Sequence, residues 1–435
     1  MIRSSTTPLR RRIATVIVAG VTSGVVAVGC PLRAQMGGTA MEDSARRATV
    51  SARAQAIGLV TRVDPAVAGR TYTEGYVAQP VIMTHARALN GHIGAVLTLD
   101  FEGLTLDRGQ LNPGASGEGY ADRRHPHTYL HEAIVTASGT FRGIGVSLAG
   151  GKGFVPFGTD DPMMRPFAAY PVNHHLAQIL ERYVAIGAVT RGPVTLEGAF
   201  FNGDEPLSAG APPDASRFGD SWAARATVTP LSAIELEASF ASVTSPELAT
   251  GGGLDQHKWS VGARFERGHG PLRAALVEWA RSDDRFGDLT TNEFTSFLAE
   301  GTTAVRNASL SVRFENTTRH EEERLLDPFR YSRNPTDLGI IGITRWRLGT
   351  VALSGPLPVR RADVAPFVEV TYARPREEIT PSAFVPRDFY GASSIWSVSL
   401  GLRVGVGRMA HRMGRYGVAA PNVGASATAG EPHIH

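Results

Sequence analysis

Trp396-Ser397-Val398-Ser399-Leu400-Gly401-Leu402-Arg403-Val404-Gly405-Val406 alternates along its whole length. In an extended chain the large apolar residues take one face, and serine, glycine and arginine take the other. The same period runs through Val194–Phe200, Ile234–Phe240, Trp259–Phe265 and Ala308–Phe314, where Glu197, Glu235, Glu237, Arg264 and Arg313 hold the polar face. Strands of this kind suit a soluble sandwich, with the apolar face inward, or a membrane barrel, with that face toward lipid and a polar lumen.

The lengths of the connections separate the two. Fifteen extended segments can be marked, beginning at 80–89 and ending with 338–348, 351–372 and 394–406. Asn90-Gly91, Ser138-Gly139, Arg191-Gly192-Pro193 and His269-Gly270 are tight turns. The links 103–126, 151–179, 203–219, 244–256, 282–291, 317–337 and 373–393 are long. Tight turns at one end and long loops at the other are the rhythm of an outer-membrane barrel, and a Greek-key sandwich lacks it. The odd count leaves either a sixteenth strand within 57–78 or a merger to fourteen.

Composition agrees with strands and turns, with 48 glycines and 27 prolines among 435 residues. The net charge is +3, but the first 34 residues hold Arg3, Arg10, Arg11, Arg12 and Arg33 and no acid, which leaves the remainder at −2. The basic balance therefore does not speak for nucleic acid. Arg10-Arg11-Arg12, the apolar run Ile13–Gly29 and the small-residue exit before Gln35 read as a secretory signal cleaved after Ala34. The competing readings are an uncleaved anchor and cleavage before a lipid-bearing Cys30. Cys30 is the single cysteine of the chain, so a disulfide framework is excluded.

Three groups of residues could carry function. Lys152, Asp160, Asp161 and Arg165 lie where a strand runs into the long link 151–179. If that link folds into the barrel, they set fixed charges at a narrowing. Glu197, Arg225, Glu235, Glu237, Arg264, Arg313, Glu369 and Arg403 fall on the lumen parity. Facing one another across water, they would impose a field on passing solutes, and Arg403→Glu would shift selectivity toward cations. His125, His127 and His131 share a parity, and with His174 and His175 they could supply nitrogen ligands to copper or zinc. The bland counterpart is a set of rim histidines making polar contacts. A nucleophile elbow is absent from the sequence, and the run Gly150–Gly153 lacks the Ser or Thr and the following helix of a phosphate loop.

Tyr120-Ala121-Asp122-Arg123-Arg124-His125-Pro126-His127, Gly151-Lys152-Gly153-Phe154-Val155-Pro156-Phe157-Gly158, Tyr170-Pro171-Val172-Asn173-His174-His175 and Phe201-Asn202-Gly203-Asp204 resemble a group of bacterial outer-membrane porin-like barrels. The Gly-Lys-x-x-x-Pro-Phe-Gly element is also similar to one in the phosphate-selective porin-like superfamily. The resemblance implies a closed antiparallel barrel and passive solute passage.

The expected organisation is a signal peptide at 1–34, a flexible segment at 35–70, a barrel at 71–410 and a disordered tail at 411–435. The barrel is an all-β, single antiparallel transmembrane barrel of about 16 strands. Its expected function is a porin-like channel for small hydrophilic solutes or ions, without covalent chemistry or cofactor. Its partners would be outer-membrane lipid, the diffusing solutes and the barrel assembly machinery, with homo-oligomerisation open and nucleic acid excluded. The alternative is a plugged barrel that captures a ligand, copper or zinc through the loop histidines.

Overall fold

The computed structural model describes residues 48–66, 69–106, 109–111, 123–124, 126–159, 161–322, 340–380, 382–408 and 412–420. The expected signal peptide, His125 and Asp160 lie outside the described residues. The strands in chain order are β1 (Ala48–Asp64), β2 (Tyr72–Ala88), β3 (Ile93–Asp100), β4 (Gln110–Leu111), β5 (Arg123–Arg124), β6 (Leu130–Phe141), β7 (Ile144–Gly153), β8 (Arg182–Arg191) and β9 (Val194–Phe201). They continue as β10 (Ser221–Leu231), β11 (Ile234–Val243), β12 (Asp255–Glu266), β13 (Leu272–Phe286), β14 (Leu289–Val305), β15 (Ala308–Glu322), β16 (Ile340–Ser354), β17 (Asp363–Glu377) and β18 (Ile395–Gly407). All but β4 and β5, which pair only with each other, form one closed antiparallel barrel of sixteen strands. Neighbours round the barrel are neighbours in sequence, and the ring closes by β1 on β18, from Arg53 opposite Gly407 to Asp64 opposite Trp396.

Closure alone does not say which face meets water; the side chains do. Leu400 is 60% exposed, whereas the adjacent Ser399 is 5% exposed. Leu196, Leu236, Val261, Val312 and Leu353 are likewise turned outward, while Glu197, Glu237, Ser260, Arg313 and Ala352 are buried. A soluble core would reverse this order, so the wall is that of a barrel standing in lipid. Toward the long-loop edge the outer face gathers aromatics, with Trp222, Phe240 and Trp259 in successive ring contact at 5.2 and 5.3 Å and Tyr372 beside Trp396 at 4.7 Å. Such a girdle marks the border of an apolar band. Among the described residues, no helix is long and apolar enough to cross a membrane.

Several expected boundaries need correction. The segment at 35–70 is not flexible throughout, because Ala48–Asp64 is the first barrel strand. Its end falls within the 57–78 stretch that could supply a sixteenth strand, and its inward residues Ile57, Leu59 and Val63 are apolar. They pack against the filled interior, so in the second half of the strand only Thr61 breaks an apolar inward face and the contrast between faces is weak. Among the described residues the barrel therefore begins at Ala48, and the segment 80–89 is only the end of β2. At 351–372 a single strand was expected, but β16 and β17 flank a turn at residues 355–362 that includes Gly355, Pro356 and Pro358. The link 282–291 is not a long loop: β13 and β14 run on to a two-residue turn, Gly287-Asp288. There Arg281 pairs with Asp283 and Glu293 at 2.7 and 2.9 Å, so charged residues continue the ladder rather than ending it. The tail expected to be disordered from 411 has Met413, Arg415 and Tyr416 buried.

Candidate functional site

Residues 154–159 and 161–181, between β7 and β8, occupy the barrel interior. Prolines 156, 162, 166 and 171 prevent this stretch from extending the sheet. Phe154, Val155, Phe157, Met163 and Tyr170 pack on inward Ile134, Val184, Ile186 and Phe201, forming an apolar core inside the barrel. Two glycines let the loop leave the wall. Gly151 has φ +142° and Gly158 has φ +69°. A Cβ on them would stand 2.0 Å from the Ala133 carbonyl oxygen and 1.8 Å from that of Ala177. Packing therefore accounts for both ends of the Gly151–Gly158 element.

A loop inside a barrel must find partners for its backbone polar groups, and the wall charges supply them. Glu369 accepts from the backbone N–H of Ala168 and Ala169 at 2.8 and 2.9 Å, and Glu315 from that of Val172 at 2.7 Å. Arg313 donates to the Ala169 carbonyl at 2.8 Å and to Glu300 at 2.7 Å, and its guanidinium lies 4.1 Å from the Phe167 ring centre. Arg403 donates to the carbonyls of Arg165 and Pro166, Lys258 to that of His175, and Arg225 to that of Gly158. Several charges expected to face water thus anchor the loop instead.

The C-terminal segment adds a second filling. Beyond β18 the chain returns to the interior. Arg412 makes a bidentate pair with Glu235 at 2.8 and 2.9 Å, and Arg415 reaches Glu237 at 2.5 Å and Glu235 at 3.0 Å. The Tyr416 hydroxyl donates to Glu132 at 2.7 Å and accepts from the Phe154 N–H at 3.0 Å. Burial, then the nearby Arg225 guanidinium, push Arg415 below its ordinary pKa, and Glu237 opposes them.

A cavity lies between the loop and the wall of β11 to β14. Thr159 and Arg165 border it on the loop side; Glu235, Glu237, Arg264 and Glu300 border it on the wall. Gly262, Ala263, Ala274, Ala275 and Gly301 leave the space by their small size. The cavity measures about 80 Å³, room for several waters. Arg165 pairs with Glu300 at 3.3 Å and stands 3.8 Å from Glu278, which also receives Thr159 and Asn173.

Of the four residues expected at the narrowing, Arg165 lines this space. Asp161 does not: it is buried and caps the turn at Pro162–Met164, accepting from Met163 N–H at 2.7 Å. Burial raises its pKa, against the pull of His131 and His127. Lys152 is also placed elsewhere, donating at 2.5 Å to Thr128 and to the Leu130 carbonyl. Among the lumen set, Glu235, Glu237 and Arg264 border the space, while Glu197 is closed in a bidentate pair with Arg225 at 2.7 and 2.9 Å.

The fold does bring histidines together. The rings of His127 and His131 are 4.9 Å apart, those of His127 and His174 5.6 Å, and those of His174 and His175 5.0 Å. Their Nδ1 atoms meet Glu102 at 3.1 Å, Glu181 at 2.8 Å and Gln178 at 3.1 Å for His127, His131 and His174 in turn. Asp100, Glu102 and His127 offer ligand atoms within 4.8 Å of one another, the one such trio among the described residues. Glu102 already accepts from His127 and from the backbone of Gln79, and Asp100 from the backbone of Glu102. These hydrogen bonds and ring contacts tie the group to the inward loop at Phe154, Tyr170 and His174. Burial would raise the Glu181 carboxyl, but the His131 hydrogen bond and the Lys152 ammonium outweigh it and hold it well below the usual range. Glu278, Glu300, Arg412, Arg415 and Tyr416 were missed in the sequence. The signal for the last three was a bulky cationic and aromatic run, Arg412-Met413-Gly414-Arg415-Tyr416, before a tail of small residues.

No protein-family model and no curated protein matches the chain. Among solved structures, the anion-selective porin from Comamonas acidovorans is 11% identical, the match covering 82% of this chain and 99% of that one with a TM-score of 0.50. The outer membrane channel DcaP of Acinetobacter baumannii matches at 12% identity over 86% of this chain and 100% of that one, with a TM-score of 0.49. OmpT of Vibrio cholerae does so at 10% identity over 85% and 100%, with a TM-score of 0.46. The chain has the fold of a closed sixteen-strand antiparallel porin barrel. The comparisons carry that fold and not the phosphate-selective resemblance at Gly151–Gly158.

Proposed function

We propose that the chain is a porin-like channel of the outer membrane that passes small hydrophilic solutes or ions by diffusion and does no covalent chemistry. The observation that carries this reading is the inverted barrel, apolar outside and polar within, whose interior keeps a charged gap between the inward loop and the β11–β14 wall. A gap bordered by Arg165, Arg264 and Arg412 against Glu235, Glu237 and Glu300 favours hydrated polar species, and its small size restricts them to small ones. Most of these charges are paired, so selectivity between anions and cations is expected to be weak. An N-terminal export signal fits this location.

Single-channel recording of the refolded chain in a planar bilayer tests the reading. Small, stable conductance steps with a reversal potential close to zero in a salt gradient are expected. A folded barrel without steps would overturn it.

A further inference from the structure

The tail occupies a site that has the properties of a receptor. Glu235, Glu237 and Glu197 project inward from adjacent strands β9 to β11, and Thr227 lies beside them. Two guanidinium groups of the same chain sit on them: Arg412 on Glu235, and Arg415 on Glu235 and Glu237, with Thr227 at 3.1 Å and Glu197 at 3.6 Å. Glu237 is only 7% exposed, its Oε1 meets no hydrogen-bond partner among the described residues, and it borders the cavity beside the loop. Arg225 neutralises Glu197 from the wall itself. Glu235 and Glu237 receive their ion pairs from the tail, with Arg225 and Arg264 of the wall nearby, so withdrawing the tail would open both carboxylates to the lumen.

The described tail residues lie near the mouth at which β18 ends. Val418 N–H donates to Ser147, near the short-turn end of β7, at 3.0 Å, and Met413 and Tyr416 reach the interior core. Beyond its buried Met413 and Tyr416 it is held by charge, and among the described residues it shares no sheet with the wall.

We propose that Glu235 and Glu237 form a guanidinium-binding site of the channel, filled here by Arg412 and Arg415, so that the C-terminal segment is a tethered plug that guanidinium-bearing solutes displace. The inference rests on the channel reading for its consequence, though not for its binding step.

Two measurements on the full-length chain test it. In the first, a peptide of residues 411–420 and, separately, arginine amide are titrated calorimetrically into Arg412→Gln/Arg415→Gln protein. Saturable binding is expected, about tenfold weaker once Glu235→Gln and Glu237→Gln are added, as loss of charge-assisted bonds implies. The wild type, its site occupied, should bind the peptide less than the double arginine variant does. Equal binding by all forms, or none by any, overturns the proposal. In the second, Ser147→Cys and Val418→Cys are introduced with Cys30→Ser, which keeps the tail's own arginines. Oxidation should hold conductance at its low level, and reductant with arginine amide should raise it. Binding without conductance in any form would sink the channel reading and leave the site standing. Conductance indifferent to the cross-link and to both arginines would sink the plug.

Discussion

Arg313 shows what a single lumen position does. Its guanidinium joins Glu300 on β14 to the Ala169 carbonyl of the inward loop and covers the Phe167 ring. Removing one partner of a buried pair leaves the other charge poorly compensated, at a cost of about 3–5 kcal/mol. Arg313→Ala should therefore lower the midpoint of urea unfolding in detergent, and Arg313→Lys should recover only part, because lysine lacks the fork that spans both acceptors. The sequence made the facing of such residues legible, since a period of two assigns Glu197, Arg225, Arg313, Glu369 and Arg403 to one side. It could not tell a charge that meets water from one that meets a loop backbone. That distinction depends on residues 140 to 240 positions away, as with Arg313 and Ala169 or Arg403 and Arg165.

At the scale of elements, the loop 154–181 is held as a unit by several wall side chains. Glu369 alone satisfies two adjacent N–H groups, and each would cost about 1–3 kcal/mol if left buried without an acceptor. Glu369→Ala is expected to loosen the loop without opening the barrel. Limited proteolysis should then cut within 159–175 while the strands stay resistant, with Glu369→Gln intermediate. An unchanged cleavage pattern would show that the loop does not depend on this carboxylate. Strands were legible wherever the inward face is polar, as in β11, β12 and β18. They were blurred in β1 and at the start of β2, where inward Ile57, Leu59 and Ala78 pack against a filled interior. The periodic signal measures contrast between faces, and contrast vanishes where both sides of the wall are apolar.

For the whole molecule, the wall is the element of the fold that the alternation foretold most directly, and it makes a depth-dependent prediction. Leu400 lies near the middle of the outer face of β18 and Val406 near its end. Arginine at the first position should cost about 2–4 kcal/mol and at the second about 0–1 kcal/mol, measured by unfolding in lipid bilayers. Equal penalties would place the apolar band elsewhere. The same wall has an uneven rim. β13 and β14 hold 15 and 17 residues and join through two, so each is roughly 50 Å long at about 3.3 Å per residue, against an apolar band about 25 Å tall. Even when tilted, that hairpin rises clear of the lipid. Gly287-Asp288 at its summit is thus a natural place to graft an epitope or a fluorophore, a flagpole standing clear of the wall and of the loop packed inside it.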